Sequence, residues 1–184
     1  MLEIVKAPNP VLSGKAKKIA GVDKAVSKLI EDMKQALEAS TDPIGVGLAA
    51  PQVGKSLQLF IAKPTVRSRI LVFINPRIFK KVNKLSEAAS EAQKEEHRKL
   101  EGCLSLKDIW GEVDRYDSVW VSYVDETGKK HKRRFNGFLA TIIQHETDHL
   151  NGILFPKRVL EQKGTLYKSE KDEKGEDVFE EIKI

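Results

Sequence analysis

At 184 residues the chain has the size of one ordinary domain, able to bury roughly two-thirds of its unfolded surface around one core. No stretch approaches the roughly 20 consecutive apolar residues needed to cross a bilayer, which excludes a helical membrane span. The sole cysteine, Cys103, excludes an internal disulfide, and the net charge of +5 favours loose attraction to polyanions without specifying one.

The opening run Met1 to Lys6 mixes apolar and charged residues, with neither the apolar core of a secretory signal nor an Arg/Ser-rich transit peptide, so a cytoplasmic protein is expected. From Asp23 to Glu38, Val26, Leu29, Ile30, Met33, Ala36 and Leu37 recur at helical spacing among charged residues, which predicts an amphipathic helix lying on a sheet. Pro43 ends that region, and the glycine-spaced run from Gly45 to Gly54 reads as a loop or edge segment.

Leu57 to Ala62 and Ile70 to Ile74 read as strands, the second closed by Asn75-Pro76. Lys80 to Lys99 lacks a core pattern and is expected as a surface excursion, a solvated helix or a flap. Val119 to Val124 predicts another strand, followed by the turn Asp125-Glu126-Thr127-Gly128 and a basic return arm to Phe135. That arm holds the run Lys129 to Arg134, read as a solvated hairpin because no aromatic residues interleave with it, with ribosomal RNA as the other candidate contact. Sequence-specific nucleic-acid binding is not expected.

Asn136 is placed to cap a helix over Gly137 to His149, stopped by Asn151-Gly152. Residues 1–168 are expected to form a single catalytic domain, and the charged tail 169–184 to be partly disordered, although Val178-Phe179 and Ile182 offer anchors.

The chemistry concentrates in His145-Glu146-Thr147-Asp148-His149. On a helix, histidines four residues apart project from one face and can grip one ion, while Glu146, about 100° round, meets a water rather than the metal. A catalytic site of this kind takes three protein ligands and keeps one position open. The extension that would supply a third histidine fails at Phe155, and a downstream carboxylate, Glu161 or Glu170, would make the protein a metallopeptidase. A closed four-ligand site would instead mark a non-catalytic, ribosome-associated module. Cys103, flanked by Gly102, offers a soft third donor.

Three segments resemble the peptide deformylase family, whose motifs are G-x-G-x-A-A-x-Q, E-G-C-x-S and Q-H-E-x-D-H-x-x-G. They stand here as Gly45 to Gln52, Glu101 to Ser105 and Gln144 to Gly152, in the family's order. The resemblance implies an α+β fold with antiparallel sheets around a central metal-binding helix. It implies hydrolysis of N-formylmethionyl nascent peptides to formate and a free amine, with transient ribosome contact. Cys103, His145 and His149 would hold one divalent ion, ferrous iron in many members, with zinc, nickel or cobalt able to take its place. Glu146 would be the general base, and the Gln52 amide and the Leu104 backbone N–H would stabilise the developing oxyanion. Motif alignment places the methionine pocket near Val46, Gly47, Phe138, Thr141 and Ile142. Asp148 is open to two readings, a partner of Arg115 behind the metal ligands or a helix-surface ion pair. Leu106-Lys107 departs from the β-branched residue and proline common in bacterial members, which bears on the shape of the substrate cleft.

Overall fold

The computed structural model describes residues 2–83 and 97–183. In chain order the elements are α1 (Lys24–Ala39), β1 (Gly47–Ala49), β2 (Leu59–Ala62), β3 (Leu71–Val82), β4 (Lys99–Cys103), β5 (Leu106–Val113), β6 (Ser118–Val124), β7 (Lys130–Asn136), α2 (Gly137–Leu150), α3 (Phe155–Glu161), β8 (Leu166–Lys171) and β9 (Asp177–Glu181). Short 3-10 turns sit at Pro10–Ser13 and Ala50–Val53. Among the described residues the strands form two sheets, ordered β1-β2-β3-β6-β7 and β4-β5-β8-β9, with antiparallel neighbours throughout. The fold is α+β, as expected.

Strand alternation explains why β2 reads as an unbroken apolar run. Leu59 and Ile61 point to a cluster with Ile30, Met33 and Leu37 of α1, whereas Phe60 and Ala62 point to a cluster with Ala140, Ile142 and Ile143 of α2. Both faces of that strand are therefore buried between helices, and no polar face is left to alternate. Phe73 of β3 belongs to the α2 side, stacked on Phe60 at 4.6 Å between centroids and close to Tyr123 and Phe135. Helix α1 starts where the Asp23 carboxylate accepts from the Val26 N–H at 2.8 Å.

Several expectations need correction. Strand β3 does not stop at Ile74. Asn75 adopts φ +49°, its side chain bonds the N–H and C=O of Ile19 at 2.9 and 2.7 Å, and a register shift carries pairing past Pro76 to Val82. A bulge is how a strand absorbs a residue that cannot donate. Asn136 precedes α2 but makes no capping bond; its side-chain oxygen accepts from the Ser118 hydroxyl at 3.4 Å. Of the Lys80 to Lys99 stretch, Lys80 to Val82 extend β3 and Lys99 opens β4, while residues 84–96 lie outside the described residues.

The tail is the largest difference. The boundary drawn at residue 168 falls inside β8, which pairs with β5 through Trp110↔Tyr167 and Gly111↔Leu166, and β9 then pairs with β8. Leu166 is buried beside Val113, Phe155 and Val159, and Ile182 packs on the same cluster. Main-chain pairing to an existing sheet edge needs few apolar anchors, so composition alone hid this hairpin.

His97 bridges Asp114 and Asp117 through its two ring nitrogens, at 2.8 and 3.3 Å. Burial alone would lower its pKa, but these carboxylates outweigh that and raise it above 6.5. A folded-state value above the unfolded one stabilises the fold fully below about pH 6.5 and less as pH rises through the folded value. The stability difference between wild type and His97→Gln should therefore be largest in acid and fade above neutrality in urea titrations at stepped pH. Separately, Phe73→Ala should cost about 3–5 kcal/mol in the same assay.

Candidate metal centre

Helix α2 runs between the sheets with Ile142, Ile143, Glu146, His149 and Leu150 all buried, so its polar groups face protein rather than bulk solvent. His145 and His149 lie one turn apart, with ring centroids 5.0 Å apart. Strand β4 brings Cys103 to them, and its Sγ lies 3.3 Å from His149 Nε2. The donor atoms of Cys103, His145 and His149 all lie within 4.8 Å of one another, the one such group among the described residues. Tetrahedral bonds of about 2.0–2.3 Å would set ligand atoms about 3.3–3.6 Å apart, so the cluster needs only small adjustment to close on a single ion.

The surroundings fit such an ion. His145 Nδ1 is 2.9 Å from Glu101 Oε2, which fixes the ring and turns its other nitrogen toward Cys103. Burial would depress the His145 pKa, yet contacts with Cys103 and Glu101 raise it well above its ordinary value. His149 is held well below its ordinary value by burial first, and by the charges of His145 and Arg115 next. Glu146 lines the cavity that also meets Cys103 and His145, and its buried Oε2 has no hydrogen-bond partner among the described residues. Burial pushes its carboxyl up to about 7, with His145 opposing the shift and Glu101 adding to it; a nearby cation would draw it back down.

Glu101, to which the sequence assigned no role, is a buried carboxylate behind the cluster. Its carboxylate takes His145 on one side and, on the other, Nε and Nη2 of Arg115 at 2.8 and 2.9 Å. Burial would raise its pKa, but these bonds lower it to about 2. Arg115 in turn reaches Asp148 at 2.6 Å, and Asp148 also accepts from Arg158 of α3 at 2.7 Å. This resolves the two readings of Asp148: it is a buried partner of Arg115 behind the ligands. A signal for Glu101 was available, since residues i and i+2 of a strand share a face, which sets Glu101 beside Cys103.

The remaining expected residues converge on one cavity of about 330 Å³, lined by Val46, Gly47, Gln52, Leu104, Phe138, Thr141, Ile142 and Glu146 together with Cys103 and His145. Gln52 is buried, its Oε1 accepts from the Ala49 N–H at 2.8 Å, and its amide nitrogen lies 3.5 Å from Cys103 Sγ and 3.3 Å from Ser105 Oγ. Because the Ala49 N–H demands an acceptor, the amide is fixed with its NH2 facing the metal ligands. Gly47 leaves room for Glu146, because a Cβ there would overlap the Glu146 carboxylate and come within 2.9 Å of Ile142. The alternatives fare differently: Glu161 is bonded to Arg158 at 2.8 Å and Glu170 to Lys168 at 2.6 Å, so neither joins the cluster. His97 and His131 are engaged by Asp114, Asp117 and Asp125, so neither completes a closed four-ligand site.

A family model described as polypeptide deformylase matches residues 1–164. The chain belongs to the polypeptide deformylase family. It is 38% identical over 177 residues to the peptide deformylase of Symbiobacterium thermophilum, covering 96% of this chain and 75% of that one. The peptide deformylase of Borreliella burgdorferi is 39% identical over 154 residues, covering 84% of this chain and 85% of the relative. Among solved structures, the peptide deformylase of Synechococcus elongatus in complex with actinonin aligns with a TM-score of 0.73 at 37% identity, covering 88% of this chain and 82% of that one. That of Thermotoga maritima aligns with a TM-score of 0.72 at 34% identity, covering 86% and 97%. The Cys103, His145 and His149 cluster is the Cys-His-His metal site typical of deformylases. The deformylase family match stops before β8, so the β8–β9 hairpin lies beyond it.

If Glu101 holds His145 in its ligating orientation, Glu101→Gln should weaken metal retention by about 10–100-fold. Competition against a graded chelator series, with the folded fraction checked by circular dichroism, measures this.

Proposed function

We propose that the chain is a metal-dependent hydrolase that removes the formyl group from the N-terminal formylmethionine of nascent proteins, releasing formate. The observation that carries this reading is the convergence of Cys103, His145 and His149 beside a buried Glu146 carboxylate whose Oε2 has no hydrogen-bond partner among the described residues. An ion held there supplies Lewis-acid polarisation of the formyl carbonyl and of water. Ferrous iron is our assignment; zinc, nickel and cobalt suit the same donors.

Each protein group then has a defined task. Glu146 accepts the proton of the attacking water and returns it to the departing amine, a role supported by its burial and by a carboxyl raised to about 7. The Gln52 NH2, aimed by the Ala49 contact, and the Leu104 N–H donate to the formyl oxygen as negative charge gathers there. Val46, Thr141 and Ile142, with Phe138 at the rim, accept the methionine side chain in a cavity at the small end of the usual range. Two sheet-edge strands, β1 and β4, border this cavity, so Gly47 and its neighbours offer main-chain groups to an extended peptide.

No helix among the described residues is long and apolar enough to cross a membrane. We assign the protein to the cytoplasm, in transient contact with the ribosome, where formylated chains emerge and where a reducing environment keeps Cys103 available as a ligand.

Anaerobically prepared protein loaded with iron, nickel or cobalt should release formate from formyl-Met-Ala-Ser; absence of turnover with all three would overturn the reading. Glu146→Gln should keep the ion and lose at least about 100-fold in kcat. Cys103→Ala should abolish metal retention, whereas a site completed by a downstream glutamate would be spared.

A further inference from the structure

Strands β3, β6 and β7 together carry seven lysines and arginines and no aspartate or glutamate, so this half of the five-stranded sheet is basic throughout. Register decides where those cations point. Val119, Val121 and Phe135 lie in the apolar cluster with α2, so Trp120, Ser122 and Arg134 face the other way. Cross-strand partners share a face: Trp120 stands between Lys80 and Arg134, and Ser122 between Arg77 and Lys132. Helix α1 covers the end of that face at Ile74 and Val124, whereas Arg77, Lys80, Lys130, Lys132 and Arg134 are exposed. The carboxylates of the adjoining turn are already engaged, Asp125 by His131 and Glu126 by Lys34 of α1.

Trp120 gives the basic face an aromatic centre. Lys80 Nζ lies 4.9 Å and the Arg134 guanidinium carbon 4.8 Å from its ring, and Arg134 Nη2 also donates to Ser118 Oγ at 3.0 Å. The run that lacks aromatic residues along the chain therefore gains one across the sheet. Lys130, Lys132 and Arg134 alternate along β7 about 7 Å apart. Beside the first two opens a hollow of about 440 Å³, which Ser122 and Val124 also line.

An acidic peptide would satisfy the cations but leave the planes of Trp120 and Arg134 without a partner. An anionic lipid surface is entered by apolar side chains, and here Trp120 is half-buried and overlain by two cations. A single-stranded nucleic acid supplies both phosphates for the row of cations and bases that stack on indole or guanidinium. We propose that the outer face of β3, β6 and β7 is a docking surface for single-stranded RNA, engaged without sequence preference. The choice of RNA over DNA rests on the deformylase reading, in which the protein meets chains under synthesis; the surface itself does not. Because α2 lies on the opposite face of the sheet, RNA and formylated peptide bind without competing.

The test follows the anisotropy of fluorescein-labelled dodecauridylate on the full-length, metal-loaded protein at stepped salt, with polyglutamate and mixed phosphatidylserine and phosphatidylcholine vesicles as rival probes. Wild type should bind the RNA more tightly than either rival, with log K falling against log salt at a slope of about −3, as roughly four neutralised phosphates require. Lys132→Ala should flatten that slope by about 0.7. Trp120→Leu should weaken RNA binding at least about fivefold, with the slope kept and polyglutamate binding unmoved. Arg134→Lys keeps the charge and loses the plane, so it should give the same pattern even where Trp120→Leu fails to fold. Each folded variant should release formate from formyl-Met-Ala at the wild-type rate. No RNA binding at low salt, tighter binding of polyglutamate or vesicles, or equal losses for RNA and polyglutamate in the Trp120 and Arg134 variants would overturn the surface while leaving the deformylase reading intact. Failure of wild type to release formate would instead sink that reading and, with it, the assignment to RNA.

Discussion

The fold turns on a helix that carries ionisable side chains into the space between two sheets. Helix α2 buries Glu146, Asp148 and His149 along with its apolar face, and buried charge is tolerated only where it is paired or ligating. The answer is a continuous ionic chain: His145 to Glu101, Glu101 to Arg115, Arg115 to Asp148, Asp148 to Arg158. It ties β4, α2 and α3 to one another behind the metal ligands. Removing Glu101 would leave Arg115 charged and buried without its bidentate partner.

The two sheets divide the labour. The five-stranded sheet is built around the aromatic stack of Phe60, Phe73, Tyr123 and Phe135 and gives α2 a rigid bed. The four-stranded sheet supplies Cys103 and Leu104 at the turn into β5, and it carries Trp110, whose ring lies against Gly102. Catalytic geometry thus depends on docking one sheet edge against a helix seated on the other. The Gln52 segment enters from a third direction, a 3-10 turn following β1, and Gly47 leaves the room that Glu146 occupies.

Much of this was legible from the amino acids. Histidines four apart on a helix and a cysteine flanked by glycine carry their chemistry in their spacing, and α1 follows from its 3.6-residue period. What was not legible depends on contacts distant in sequence. The β8–β9 hairpin is polar on most positions and is held by main-chain pairing, which leaves little mark on composition. Strand β3 passes Pro76 because Asn75 is anchored by Ile19, a residue 56 positions away. The basic arm carries no interleaved aromatic residue of its own, but pairing sets Trp120 opposite Arg134, with Arg134 and Lys80 both within 4.9 Å of its ring. Arg115 gave no local hint that it would span Glu101 and Asp148.

X-ray absorption spectroscopy at the edge of the bound metal tests the central claim most directly, because it counts scatterers around the ion without relying on activity. The account predicts one ion per chain with a single sulfur in its inner shell, accompanied by two imidazole nitrogens. An inner shell of nitrogen and oxygen alone would place Cys103 outside the site and contradict it.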